Sequence, residues 1–171
     1  MQRSIRPVFL TIPAVVLAAC AAEPTRRAER PPADATPGVL AITATDFVDT
    51  DSNKYRDTST VVLYIFPESA QYQLPMKAEG TFEFALEDGE GRPIARWKID
   101  ENRSGEARRQ LPPGPGYIFE LSLFEFGSDQ LTAPEAELVA TFFPADGGPP
   151  LRSRTQSPLL IGSLGRSGGV P

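Results

Sequence analysis

Histidine is absent from this chain of 171 residues, and cysteine occurs once, at Cys20. Without histidine, neither a Ser-His-Asp nor a Cys-His catalytic arrangement can be assembled. Zinc sites built on histidine or on several cysteines are excluded for the same reason. A single cysteine closes no internal disulfide, so a folded domain must stand on its apolar core. Phosphate-binding and dinucleotide-binding glycine motifs are missing. Basic charge is also scarce: 17 Lys and Arg stand against 22 Asp and Glu, a net charge of −5. That balance speaks against nucleic acid as a partner, because phosphate binding needs a basic surface.

What is present begins with a short apolar segment. Arg3 and Arg6 precede an apolar run from Pro7 to Leu17, which ends in Leu17-Ala18-Ala19-Cys20. A membrane-spanning helix needs about 20 apolar residues, so this run reads as a targeting segment. The last four residues resemble the lipobox of bacterial lipoproteins. That resemblance implies cleavage before Cys20, acylation of its thiol, and a chain held at a membrane by lipid. Each buried CH₂ of such an anchor contributes about 0.8 kcal/mol. It also implies residence in the bacterial cell envelope, and Ala21 after the cysteine points to the outer membrane where the host has one. Loss of residues 1–19 removes Arg3 and Arg6 and no acid, leaving 15 − 22 = −7.

The rest divides by composition. Residues 20–38 are rich in proline, alanine and charge and carry no apolar period, as expected of a tether. Residues 39–143 form the domain. Residues 144–171 are again rich in proline and glycine, with room for a short return strand near Leu151–Thr155 and Leu159–Ile161.

Within the domain the apolar period is two. Thr58–Phe66 is β-branched and aromatic on both faces, as in a central strand covered on both sides or partly shielded. Gly80–Glu87 alternates, with Phe82, Phe84 and Leu86 on one face, and Asp88–Gly91 supplies a hairpin turn. Ile94–Ile99 returns with Ala95, Trp97 and Ile99 inward, which sets Glu83 to pair with Lys98 across the hairpin. Glu106–Leu111 reads as a polar edge strand. Tyr117–Phe126 and Ala136–Phe143 complete the set, and one helical turn is expected between Ser128 and Glu137. Short strands with frequent turns and no helical crossovers predict an all-β fold: an antiparallel β-sandwich, immunoglobulin-like or transthyretin-like, of about seven strands.

One segment carries metal chemistry. Asp49, Asp51, Asn53 and Asp57 place oxygen side chains at alternating positions of a short loop, and Tyr55 offers its backbone carbonyl. Calcium takes six to eight oxygens at about 2.3–2.6 Å, which such spacing supplies. The segment resembles the calcium loops of thrombospondin type 3 repeats and the first part of EF-hand loops, which implies Ca²⁺ as the ion. It departs from them in carrying Lys54 where those loops prefer glycine, and Thr60 where an EF-hand has its bidentate glutamate.

Trp97 alternates with core residues and is read as core. Of the carboxylates Glu83, Glu87, Glu120 and Glu125 on strands and Asp88 in a turn, alternation places most outward as a solvated face, where a hydrolase would need two acids facing across a cleft. The chain is therefore read as a non-catalytic, lipid-tethered binding or accessory domain for a protein or polysaccharide partner. A carboxylate-based or calcium-assisted hydrolase, or a subunit pairing through an edge strand, are the alternatives.

Overall fold

In the computed structural model, residues 28–164 are described. Cys20 and the targeting segment lie outside them.

The alternating runs form strands whose apolar faces meet. The elements are β1 (Pro37–Ala44), β2 (Tyr55–Arg56), β3 (Thr58–Pro67), β4 (Gly80–Glu87), β5 (Pro93–Ile99), α1 (Glu101–Ala107), β6 (Arg108–Gln110), β7 (Pro115–Ser122), β8 (Glu135–Pro144), β9 (Leu151–Arg154), β10 (Leu159–Leu160) and β11 (Gly162–Ser163). All pairings are antiparallel. One sheet has the order β1-β3-β7-β6. The second runs β8-β4-β5, with β9 and β10 both pairing to β8. A two-stranded ribbon, β2 with β11, stands beside them. The fold is an all-β antiparallel sandwich.

Its core is the inner face of each sheet. Val61, Leu63 and Ile65 of β3 and Leu121 of β7 face Phe82, Phe84 and Leu86 of β4, and all are essentially removed from water. Phe82 is the hub, with ring centroids 5.0 Å from Tyr117, 5.2 Å from Phe119 and 4.9 Å from Phe142. Trp97 is 2% exposed and donates its indole N–H to the Ser122 carbonyl at 3.1 Å, which satisfies its one polar atom. Glu83 and Lys98 are register partners on the outer face, 3.4 Å apart.

Two local expectations are corrected. The segment expected as an edge strand over Glu106–Leu111 begins in a helix: Asp100 caps α1 by accepting the Arg103 N–H at 2.9 Å, and only Arg108–Gln110 pair with β7. The run Tyr117–Phe126 leaves the sheet after Ser122. Its hydroxyl accepts from the Phe124 N–H, a 3-10 turn spans Leu123–Phe126, and Gly127 closes it at φ 84°. That is the helical turn in this region, rather than one between Ser128 and Glu137.

The strand directions give the sandwich two distinct ends. The chain enters at the first, where Pro37 pairs with Pro67, Gly80 with Pro144 and Gln110 with Pro115. Just before it, Ala35 donates to the Pro32 carbonyl and Thr36 accepts from the Glu68 N–H. The loops at 45–57, 88–92 and 123–134 lie at the opposite end.

Candidate metal site

The Asp49–Asp57 segment bridges β1 and β3 at that far end. It is held at its base by the Val48–Thr58 bridge and by the Asp57 carbonyl, which accepts from Leu123 N–H at 2.8 Å. Within it the chain folds back tightly, with Ser52 at φ 65° and Lys54 at φ 75°. Left-handed backbone is costly for residues with a side chain. Three bonds to side-chain oxygens hold it here: Asn53 N–H to Asp51 at 3.1 Å, Lys54 N–H to Asp49 at 2.8 Å, and Tyr55 N–H to Asn53 at 2.8 Å. The position where calcium loops favour glycine thus adopts the glycine-type conformation with lysine in place.

This fold brings Asp49, Asp51 and Asp57 together. Each contributes a carboxylate oxygen to a group lying within 4.8 Å, an arrangement that can hold a metal ion. Asp57 is fully buried, Asp49 half-buried and Asp51 exposed. Burial raises the Asp57 pKa, but hydrogen bonds from the Thr58 hydroxyl, the Thr50 N–H and hydroxyl, and the Asp51 N–H outweigh it. The net shift is downward, so the carboxylate is charged at neutral pH. Asp49 Oδ2 accepts from Lys54, while its Oδ1 is buried and accepts nothing. A buried carboxylate oxygen without a donor is rare in folded proteins, and a cation is one partner that would satisfy it.

The other two residues singled out by spacing are used differently. Asn53 Oδ1 accepts from Tyr55, and its Nδ2 donates to Asp129 Oδ2 at 2.7 Å. Tyr55 lies in β2, in register with Ser163. Asp129, 4% exposed, is a buried acid that sequence reasoning missed. It sits 76 positions away, and no local pattern marks its contact with the loop. Asp46 is also committed elsewhere, accepting the Leu160 N–H at 2.9 Å.

Among the described residues, Glu87 and Glu137 are cross-strand partners on the outer face of the second sheet, and each is matched to its own cation, Arg152 and Arg154. Glu83 faces Lys98, and Glu87 faces Arg152 at 3.4 Å, both on the outer face of the second sheet. Asp88 folds the β4–β5 turn by accepting from Glu90, Arg92 N–H and Arg92 Nε. Glu120 and Glu125 are exposed. Comparison with known proteins adds no relative: no family model matches the chain, and no curated protein does. Among the described residues, no helix is long and apolar enough to cross a membrane.

Proposed function

We propose that this chain is a bacterial envelope lipoprotein, anchored by lipid on Cys20, that presents a non-catalytic β-sandwich for binding, with Ca²⁺ held by Asp49, Asp51 and Asp57. The observation that carries this reading is the placement of the acidic loop. The chain enters the sandwich at Pro37, and the three carboxylates gather at the opposite end. A domain tethered at one end offers its other end to whatever lies beyond the membrane surface. The orphaned Asp49 Oδ1 supports the metal, and the exposed Asp51 leaves one side of the cluster open to solvent for entry. Protein or polysaccharide remains the partner class. The pairing of the outer-face carboxylates Glu83, Glu87 and Glu137 with Lys98, Arg152 and Arg154 favours this over the hydrolase reading, and the three-residue β6 offers little edge for strand pairing.

The anchor is tested by expressing the full chain in a bacterium fed a labelled palmitate. The reading expects label on the protein and its recovery with membranes, both lost in Cys20→Ser. Unlabelled protein, free in the soluble fraction in both forms, would refute it.

A further inference from the structure

The two outer faces of the sandwich differ in kind. On the second sheet the outward positions are charged and cross-paired: Glu83 with Lys98, Glu87 with Arg152, and Glu137 with Arg154 at 2.6 Å. The first sheet is the reverse. Its inward residues are Leu40, Val61, Leu63, Ile65, Tyr117, Phe119 and Leu121. Alternation therefore turns Val39 and Ala41 of β1, Val62, Tyr64 and Phe66 of β3, and Ile118 of β7 outward. The register joins them into one surface: Val39 beside Phe66, Ala41 beside Tyr64, and Val62 beside Ile118. Val39 is 54% exposed and Ile118 36%. Tyr64 lies beside Phe66, ring centroids 6.4 Å apart, and its hydroxyl donates to the Pro112 carbonyl at 2.7 Å. The main neighbours of β1, β3 and β7 lie beside them in the sheet, at its edges or in the opposing sheet. This explains the doubly apolar character of Thr58–Phe66: one face fills the core, and the other has no covering layer among the described elements.

We propose that this outer face, Val39-Phe66-Tyr64-Val62-Ile118, is a self-association surface that pairs two copies of this chain face to face. Charge selects the occupant. The protein carries a net −5, so most surfaces of two copies repel when brought together. This face bears one acid, Glu120, at the level of Thr60 near the end of β3, and one base, Arg109 on the edge strand β6, and is otherwise apolar or hydroxyl-bearing, so it is neutral overall. A two-fold interface must be self-complementary, and a nearly uncharged sheet face meets that demand. A two-fold axis running along β3 keeps both N-termini at the same end and sets Glu120 of each copy opposite β1 of the other, away from its own mate. Sheet faces pack about 10 Å apart with strands about 4.8 Å apart, so three such strands bury on the order of 1,000 Å² in total. That is the low end for a specific interface and gives a concentration-dependent dimer.

The test uses the chain from Ala21 onward, which keeps every core residue from Ala35 to Ile161. Sedimentation velocity from micromolar to millimolar concentration should show molar mass rising from one chain to two. Ile118→Lys and Val39→Lys should abolish the rise with little change in melting temperature, while Leu160→Lys, on the second sheet, should not. A residue on the axis faces its own copy across the roughly 10 Å between sheets, so Thr60→Cys should be joined into a dimer by a short bismaleimide cross-linker and Lys98→Cys, on the other sheet, should not. A single-chain mass at every concentration, or a dimer that survives both lysine variants, would overturn the proposal. So would Val39- and Ile118-dependent flotation with neutral phosphatidylcholine vesicles by a chain that stays monomeric, which would assign the face to lipid instead.

Discussion

Asn53 and Asp129 meet at 2.7 Å, the amide nitrogen of one on the carboxylate of the other, although 76 positions separate them in the chain. The contact ties the acidic loop to the segment after the 3-10 turn, and Asp129 is 4% exposed. Replacing Asn53 with alanine removes that donor from a buried carboxylate. Such a loss costs about 1–3 kcal/mol. Urea unfolding of Asn53→Ala should show a lower midpoint at unchanged slope, and Asp129→Asn in the same background should restore part of it.

Asp57 makes the protein sensitive to acid. Its folded pKa lies below the usual carboxylate value near 3.8. The stabilisation is therefore complete above the unfolded value and is lost as pH falls through the folded one. Asp88 is shifted the same way, chiefly by the Arg92 N–H and side chain, so acid unfolding has at least two contributors. Melting temperatures measured at descending pH should fall steeply below about pH 4. Asp57→Asn should be less stable at neutral pH and should show a shallower acid limb than the parent.

Phe82 lies against four other rings and is 1% exposed. Truncation leaves a cavity between the sheets that neighbouring aromatics fill poorly. Phe82→Ala should cost about 3–5 kcal/mol by denaturant titration. Phe124→Ala, at an exposed ring, should fall within about 0.5 kcal/mol of the parent.

Gly162 has φ 68° in β11, and a Cβ there would lie 2.7 Å from the Ala133 carbonyl oxygen and 2.9 Å from that of Leu131. Both obstacles are backbone, so relief requires the 131–133 segment to move. Gly162→Ala should destabilise by more than about 1 kcal/mol. Proteolysis should then cut first near the β2–β11 ribbon. Gly89→Ala, with open space around it, serves as the control.

Much of the sandwich is legible in the sequence because its long strands are buried on one face only. The period of two in Gly80–Glu87 and Ile94–Ile99 names the inward residues directly, and Glu83 finds Lys98 as the hairpin register requires. The seven-residue α1 escapes such reading, since two turns of helix around Gly105 show no apolar stripe. Asp100 as its cap is the local signal that marks it. The two-residue strands β2, β10 and β11 carry no period at all; backbone pairing with distant segments defines them. In the acidic loop, the clustering of Asp49, Asp51 and Asp57 follows from spacing. The diversion of Asn53 to Asp129 does not, because it depends on which distant loop the fold delivers to that end.

The central claim is that the Asp49–Asp57 loop holds calcium at the end of the domain away from the tether. Calorimetric titration of Ca²⁺ into chelator-stripped protein, with melting temperature followed in parallel, tests it most directly. The account predicts a saturable heat in the ~10⁻⁴–10⁻³ M range and a rise of a few degrees, both lost in Asp51→Ala, whose calcium-free melting temperature serves as its own baseline because Asp51 also accepts the Asn53 N–H. No heat and no shift at millimolar calcium would contradict it, and would leave the three aspartates as a turn held by its own hydrogen bonds.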